Sequence, residues 1–355
     1  MKAPSVSPSP DHNARRARTS MAAETAEAPH VVRDLLANNL EAVRSLGARL
    51  REAPPRAVLT CARGSSDHAA TYAKYLIETR AGLITASAAP SVSSVYAAAT
   101  EARDVLCLAI SQSGASPDLL ATAKAAREAG AELVALVNAP ESPLAALAHE
   151  ELPLWAGPEL SVAATKSYLA ALAAIAQLVA AWTEDAALAV ALEALPGQME
   201  TALAQDWSAA LPVLDGASSL YVVGRGPGFA VAQEAALKFK ETCGLHAEAF
   251  SAAEVRHGPM AIARDGFPVL ILAQDDATRE GVEALAAELA EAGARVLIAG
   301  GTAAGAVSLP TLKADPLLQP ILLAQSFYVM VEALARRRGF DPDRPPGLSK
   351  VTRTL

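Results

Sequence analysis

The stretch VLCLAISQSGASPDLLATAKAAREAG, residues 105–130, determines the fold that we predict. It begins with a short apolar run, continues into the polar loop ISQSGASPD and ends in a helical pattern. Apolar runs that alternate with helical patterns are typical of a parallel sheet flanked by helices. In such sheets ligands bind at the carboxyl ends of the strands, which is where this polar loop would lie.

The composition of this loop suits a phosphate group. Ser116 stands at a plausible N-cap and Pro117 at the first helical position, so the following helix would offer N–H groups to an anion. The hydroxyls of Ser111 and Ser113 would add donors, and Gly114 would let the backbone approach the ligand closely. A capped turn with solvated serines has the same local pattern, so the loop alone leaves both interpretations open.

The order of apolar run, Arg-Gly turn and alanine-rich helix occurs twice. The two segments are AVLTCARGSSDHAATYAKYLIE and LYVVGRGPGFAVAQEAALKFKE, and their arginines, Arg63 and Arg225, are 162 residues apart. Gly130 and Gly293, each placed as a helix C-cap before an apolar run, repeat at a spacing of 163. This agreement predicts a duplicated domain.

We therefore predict an α/β protein with two tandem domains, each a parallel sheet flanked by helices in a doubly wound, flavodoxin-like three-layer sandwich. Strands are expected at 57–62, 105–110, 133–137, 219–223, 268–272 and 295–299. The predicted divisions are a disordered N-terminal lead over 1–20, a first domain with a helical lead-in over 21–195, a second domain over 196–340 and a C-terminal tail over 341–355.

Composition and charge argue against several classes of protein. The net charge of −8 without a basic stripe argues against a nucleic-acid partner. The three cysteines form no Cys-x-x-Cys pair, so neither a disulfide framework nor a thiolate metal site is indicated. The N-terminus lacks the apolar segment of a secretory signal, and the longest apolar stretch, which contains Gln177, is short for a bilayer. We expect a cytoplasmic protein without a membrane partner, metal or cofactor.

The second repeat carries ionisable residues in QEAALKFKETCGLHAEAFSAAEVRHGP. Glu234, Lys238 and Glu241 fall at i, i+4 and i+7, on one helical face. Such a face is usually solvated, but the apolar flanks make a buried cluster credible, and a buried glutamate can move a proton between carbons. His257 could serve as an acid or base near neutral pH, or could form a structural hydrogen bond.

Two further segments could contribute to the same site. The loop RGSSDHAAT places Ser65 and Ser66 at the start of a helix, where Asp67 and His68 are expected to be first-turn residues facing solvent. Lys350 lies near the end of PPGLSKVTRTL, where a lysine is normally solvated. A tail stiffened by Pro-Pro-Gly could instead fold back over the pocket, and a desolvated lysine there could form an imine with a sugar carbonyl.

Several motifs together resemble one family. SQSGASPD, VAATKSY, ALKFKETCGLHAEAFSAAEVRHGP and a terminal LSKVT occur in the order found in the sugar-isomerase half of glucosamine-6-phosphate synthase, which consists of two tandem SIS (sugar isomerase) domains. The segments RGSSDHAATYAKYLIE and PPGLSKVT resemble stand-alone SIS-type glucosamine-6-phosphate deaminases more closely than they resemble the synthase. The resemblance extends from about Met21 to the C-terminus.

The resemblance implies roles for residues at matching positions. The residues that would hold the sugar phosphate are Ser65, Ser66, Ser111, Gln112, Ser113, Ser116, Val162, Ala164 and Ser349. Glu241 would move the proton between C1 and C2, and Lys350 would form the imine. His257, donated by the neighbouring subunit of a homodimer, would open the sugar ring. Glu234 and Lys238 would position the groups around the imine.

The chain also departs from the synthase pattern. The synthase carries an N-terminal glutaminase domain with a cysteine directly after the initiating Met, whereas Lys2 follows Met1 here and the first cysteine is Cys61. We therefore expect no glutaminase activity. The synthase-like VASTK is VAATK here, so a hydroxyl is lost at Ala164.

The predicted function is conversion of glucosamine 6-phosphate to fructose 6-phosphate and ammonia. A deglycase acting on a phosphorylated fructosamine adduct would use the same imine and proton transfers, and galactosamine 6-phosphate is another substrate option. A sugar-phosphate-binding regulator without turnover is the alternative from a different class, since it would need none of Glu241, His257 and Lys350.

Overall fold

The structure, a computed structural model, describes residues 18–350. The strands are β1 (Ala57–Cys61), β2 (Thr85–Ser87), β3 (Val105–Ser111), β4 (Glu132–Val137), β5 (Glu150–Pro153), β6 (Ser219–Gly224), β7 (His246–Ser251), β8 (Pro268–Leu272), β9 (Arg295–Ala299) and β10 (Val307–Leu309). The α-helices are α1 (Ser20–Asn38), α2 (Leu40–Glu52), α3 (Ser65–Arg80), α4 (Pro90–Ser94), α5 (Pro117–Glu128), α6 (Pro143–Leu147), α7 (Lys166–Thr183), α8 (Ala186–Leu203), α9 (Leu211–Leu214), α10 (Gly228–Cys243), α11 (Arg279–Glu291) and α12 (Gln319–Arg337).

The strands form two five-stranded sheets whose paired strands are all parallel. The first sheet has the order β2-β1-β3-β4-β5, and the second has the order β7-β6-β8-β9-β10. Both follow the flavodoxin-like order 2-1-3-4-5 when each is numbered from its own first strand. The predicted fold class and the duplication are therefore confirmed.

All six predicted strands are present, and the sequence prediction missed four others, namely β2, β5, β7 and β10. These four are the edges of the two sheets. Edge strands are covered on fewer sides, so their sequences lack the continuous apolar run that marks a central strand. The residues of β10, for instance, are exposed except for Leu309, whereas every residue of the central strand β8 is buried.

Helix α7 is the central helix of the larger hydrophobic core. It packs against α1, α2, α3 and α8, and nearly all of its side chains are buried. Gly47 of α2 allows a close approach, because an added Cβ would lie 2.8 Å from the carbonyl of Ala181. By length and composition α7 could cross a membrane, but 89% of that segment is buried inside the protein. The apolar stretch that contains Gln177 is thus a helix of the protein core.

The predicted divisions of the chain relate to the observed elements as follows. Helices α1 and α2 occupy the predicted helical lead-in, whereas residues 1–17 of the predicted lead and residues 351–355 of the tail lie outside the described residues. The predicted boundary between 195 and 196 falls inside helix α8, which packs against α1 and α12. The described part of the tail, 341–350, has no helix or strand.

Candidate active site

A cleft of about 250 Å³ opens where β1 and β3 end, between the first sheet, helix α10 of the second domain and the C-terminal tail. It is lined by Arg63, Gly64, Ser65, Ser66, Ile110, Ser111, Gln112, Ser113, Ser116, Leu119, Val162, Ala164, Leu237, Lys238, Glu241, Leu348, Ser349 and Lys350. All nine residues predicted to hold a sugar phosphate are among them. Three of the five predicted catalytic residues, Lys238, Glu241 and Lys350, line the same cleft.

The loop after β3 leaves its donors to the cleft. Gly114 has φ +60°, and an added Cβ would collide with the side chain of Ser142, so this position requires glycine. The backbone N–H of Gly114 donates to Ser111 Oγ at 2.9 Å, which fixes the turn. Ser116 is the N-cap of α5, as predicted, but its side chain makes no capping hydrogen bond. The Ser116 hydroxyl therefore remains able to bind an anion, whereas the Leu119 N–H in the first turn of α5 donates to Asp118 Oδ1 at 2.8 Å.

The loop after β1 connects the cleft to a buried ionic cluster. Gly64, with φ +55°, turns the chain into α3, which begins at Ser65. The hydroxyl of Ser65 donates to Glu234 Oε1 at 3.1 Å and accepts from Lys238 Nζ at 3.0 Å. Ser65 thus joins a loop of the first domain that lines the cleft to the ionisable residues of the second domain.

The Glu-Lys-Glu face of α10 is buried, not solvated. The Lys238 ammonium lies 2.6 Å from Glu241 Oε2 and 3.2 Å from Glu234 Oε1. The side chains of Lys238 and Glu234 are 1% and 0% exposed, and that of Glu241 is 18% exposed. Glu241 is therefore the member of the cluster that faces the cleft, and the buried alternative is the correct one.

The charges of this cluster stabilise one another. Burial by itself would raise the pKa of Glu234, but the charge of Lys238 and the contacts from His68 and Tyr328 outweigh it and lower the pKa to about 2. Burial likewise opposes the charge of Lys238, yet the carboxylates of Glu234 and Glu241 raise its pKa above the usual value. Both groups are ionised at neutral pH.

The prediction that His68 faces solvent is wrong. Its Nδ1 lies 2.9 Å from Glu234 Oε2, and its side chain is 18% exposed. Helix α10 packs on α3 and covers this face, which the sequence of α3 alone does not indicate. The one available signal was the i, i+3 spacing from Ser65, which places His68 on the same helical face as a cleft residue.

Lys350 lies in the cleft wall, as the prediction of a tail folded over the site required. Its ammonium donates to Glu159 Oε2 at 3.1 Å and to the Ser161 carbonyl at 2.6 Å. The tail is fixed upstream, where the Asp343 carboxylate accepts from the backbone N–H groups of Ser20 and Met21 at 2.7 and 2.8 Å. These are the first N–H groups of α1, so the carboxylate also caps that helix.

Glu159 is a site residue that the sequence analysis missed. Its buried carboxylate accepts from the N–H groups of Thr165 and Ser167, at 3.0 and 3.1 Å, and from the Ser167 hydroxyl at 2.7 Å. It therefore caps α7 while holding Lys350. An acidic residue shortly before a helix is a recognisable capping signal, but its contact with the tail is not visible in the sequence.

His257 does not line the cleft within the described part of the chain. It is exposed, at the end of a single 3₁₀ turn, Glu254–His257. Its donation by a neighbouring subunit stays a prediction. Glu234, the remaining predicted catalytic residue, lies behind Lys238 and Ser65 and reaches the cleft through them.

The duplicated loop of the second domain differs from the serine loop after β3 in what binds its hydrogen-bond donors. Residues 273–280, AQDDATRE, match 111–118, SQSGASPD, at the spacing of 162 that relates the two arginines. The Asp276 carboxylate accepts from the N–H and hydroxyl of Thr278, at 2.8 and 2.6 Å, and from Gln274 Nε2 at 2.8 Å. In the second domain a carboxylate of the chain itself thus binds the donors whose counterparts in the first domain face the cleft.

Comparison with known proteins identifies relatives over most of the chain. Glutamine–fructose-6-phosphate aminotransferase [isomerizing] of Aeropyrum pernix is 34% identical over 314 residues, which are 83% of this chain and 50% of the relative. The protein of that name from Symbiobacterium thermophilum is 32% identical over 363 residues, 93% of this chain and 58% of the relative. The chain spans about half the length of these curated relatives.

Solved structures and a family match agree with the fold. A crystal structure from Silicibacter pomeroyi DSS-3, provisionally named a phosphosugar isomerase, is 45% identical with a TM-score of 0.88 and covers 92% of this chain and 100% of its own. Thermotoga maritima glucosamine-6-phosphate deaminase, at 21% identity and a TM-score of 0.76, covers 95% and 100% and shares the fold. The SIS domain matches residues 53–181 and 214–306. The chain belongs to the SIS domain family and carries two such domains in tandem.

Proposed function

We propose that the protein is an amino-sugar-phosphate isomerase-deaminase, which converts glucosamine 6-phosphate and water to fructose 6-phosphate and ammonia. The observation that carries this proposal is the convergence of the two serine loops, Glu241 and Lys350 on one cleft. The relatives support the sugar class, since their name joins isomerisation to fructose 6-phosphate. The proposed reaction takes water as the second substrate and does not require glutamine.

Binding would begin at the phosphate end of the cleft. The hydroxyls and N–H groups after β1 and β3 would hold the phosphate, and this would direct the sugar carbons toward α10 and the tail. His257 from a second subunit would transfer the proton that opens the ring. Its exposed position is compatible with such a contact, and this requirement makes the homodimer part of the proposal.

Glu241 would perform the isomerisation. Its carboxylate would take the proton from C2 of the open aldose and return it at C1, while one proton of the amine passes to O1. The product has a hydroxyl at C1 and an imine at C2 in place of the amine. The Lys238 ammonium, 2.6 Å from Glu241 Oε2, would hold this carboxylate in position beside the sugar carbons. Glu234, Ser65 and His68 would hold Lys238 in place, because each belongs to the same hydrogen-bonded cluster.

Lys350 would release the ammonia. Its amine would add to C2, ammonia would leave, and the resulting lysine imine would be hydrolysed by water to the ketose and the free lysine. The ammonium must first leave Glu159 and the Ser161 carbonyl, to which it donates, and give up its proton to solvent before the amine can add. The Ala164 methyl lines the sugar region in place of a hydroxyl.

A test of the proposal is to give the purified protein glucosamine 6-phosphate and to measure ammonia and fructose 6-phosphate together. We expect the two products in equal amounts, because one amine is released for each ketose formed. Galactosamine 6-phosphate and a phosphorylated fructosamine adduct in parallel reactions identify the competing substrates. Absence of ammonia at any practical protein concentration would end the deaminase proposal.

We also infer a reducing, cytoplasmic location. Cys61, Cys107 and Cys243 are buried free thiols, and burial raises the pKa of each above its ordinary value. Thiols of this kind are unreactive core residues and need no oxidising compartment.

A further inference from the structure

Arg63 is a charged residue of the cleft wall that the proposed reaction does not use. We propose that Arg63, held in position by Asp118, donates directly to the phosphate group of the ligand and selects phosphorylated over neutral sugars. The sugar identity rests on the proposed function, whereas the phosphate contact does not. Arg63 lies between the end of β1 and the turn at Gly64, directly beside the serine loop.

The geometry brings the guanidinium to the phosphate end of the cleft. Its Nε lies 2.8 Å and its Nη2 2.7 Å from Asp118 Oδ2. Asp118 follows Pro117 in the first turn of α5 and therefore lies next to Ser116, a residue of the substrate loop. Only part of the guanidinium is used by this pair, and its further N–H groups can reach a ligand because the Arg63 side chain is 51% exposed.

The charge balance of the cleft also requires a cation at this end. The Asp118 carboxylate is 1% exposed, so solvent screens it poorly from an anion bound beside it. Lys238 is neutralised by two carboxylates, and Lys350 pairs with Glu159. Among the described residues that line the cleft, Arg63 is the cation beside the serine loop. Asp118 balances its charge, but a guanidinium can bind a carboxylate and a phosphate at the same time through its several planar donors.

The duplicated domain supplies a matched control for this residue. Arg225 occupies the equivalent Arg-Gly turn, 162 residues further along. In the loop beside it the Asp276 carboxylate already accepts from Gln274 and Thr278. Arg225→Gln therefore removes the same charge from the same type of turn without touching the cleft.

The experiment measures binding of inorganic phosphate by titration calorimetry at about 0.15 M ionic strength, where the Debye length is about 8 Å, with folding checked by chemical unfolding. Arg63→Gln is expected to weaken phosphate binding about 10–100-fold, the range for one or two charge-assisted hydrogen bonds. Arg225→Gln should bind within about twofold of the wild type, since distant charges are largely screened. Equal binding by wild type and Arg63→Gln would overturn the proposal.

A double variant separates contact from charge compensation. Arg63→Gln removes the cation that faces the buried Asp118 carboxylate, and this loss by itself could repel phosphate or destabilise the fold. Arg63→Gln combined with Asp118→Asn removes both charges and keeps the site neutral. If Arg63 contacts phosphate, the double variant stays about 10-fold or more weaker than the wild type. Recovery of wild-type affinity would show that Arg63 only neutralises Asp118 and would overturn the contact.

The outcome is independent of turnover. If phosphate binding depends on Arg63 but the protein releases no ammonia, the proposed reaction is contradicted and this inference is supported. Ammonia release by Arg63→Gln with an unchanged KM for glucosamine 6-phosphate would support the proposed reaction and overturn this inference. The expected result for that variant is a KM raised about 10-fold or more with a smaller change in kcat.

Discussion

Replacing Glu241 with glutamine is expected to lower the turnover of glucosamine 6-phosphate by about 10²–10⁴-fold, the usual contribution of a general base. Glutamine keeps the size of the side chain but cannot take the proton from C2. Because the proposal places Glu241 at C1 and C2 of the sugar and not at its phosphate, phosphate binding should change little. The measurements are kcat from ammonia release and the affinity for fructose 6-phosphate.

Glu248→Gln is the control for this variant. Glu248 is an exposed residue of β7, in the same domain, and its replacement makes the same change of charge. It should retain the wild-type kcat. If Glu241→Gln kept more than about a tenth of the wild-type kcat, the proton transfer would have to be assigned to another group, because the smallest effect expected is about 100-fold. A ligand-sensing regulator would show no turnover in either variant.

The second large effect concerns stability. Lys238→Met is expected to lower the free energy of unfolding by about 3–5 kcal/mol, because it leaves a buried carboxylate without its cation. Glu234 is fully buried, and Glu241 faces it across the position of the lost ammonium. Urea unfolding of the wild type and the variant measures the difference.

Lys240→Met is the matched control, since Lys240 lies on the same helix but is exposed. It should change the free energy of unfolding by no more than about 0.5 kcal/mol. A loss below about 1 kcal/mol in Lys238→Met would mean that the carboxylates do not depend on the ammonium, contrary to the buried pair described above.

The pH dependence of stability follows from the same cluster. The pKa of Glu234 is lowered from 4.5 to about 2, so its stabilising effect is complete above about pH 4.5 and is lost as the pH falls toward 2. Without Lys238 the desolvation of this carboxyl is less well opposed, and its pKa rises. The acid loss of stability between about pH 4.5 and 2 should therefore be smaller in Lys238→Met than in the wild type.

The parts of this structure that could be predicted are those specified by local sequence. Central strands such as β3 and β8 are continuous apolar runs, and the serine loop after β3 carries its own glycine, N-cap and proline. The edge strands lack such runs. Their place is fixed by the neighbouring strand, which is a tertiary contact.

The sequence analysis missed His68 and Glu159 as site residues because the role of each depends on a partner that is distant in the sequence. His68 lies 166 residues from Glu234, and Lys350 lies 191 residues from Glu159. From the local sequence alone, His68 is an ordinary first-turn histidine and Glu159 is an ordinary acidic helix cap. Only the packing of α10 on α3 and the return of the tail give them a place at the site.

Trapping of the imine is the most direct test of the central claim, that Lys350 reacts with a sugar bound in this cleft. The protein is incubated with fructose 6-phosphate, reduced with borohydride, digested and analysed by mass spectrometry. We predict a stable secondary amine joining the sugar phosphate to Lys350, with no adduct in Lys350→Arg. Absence of any adduct, or an adduct confined to another lysine such as Lys238, would contradict the account.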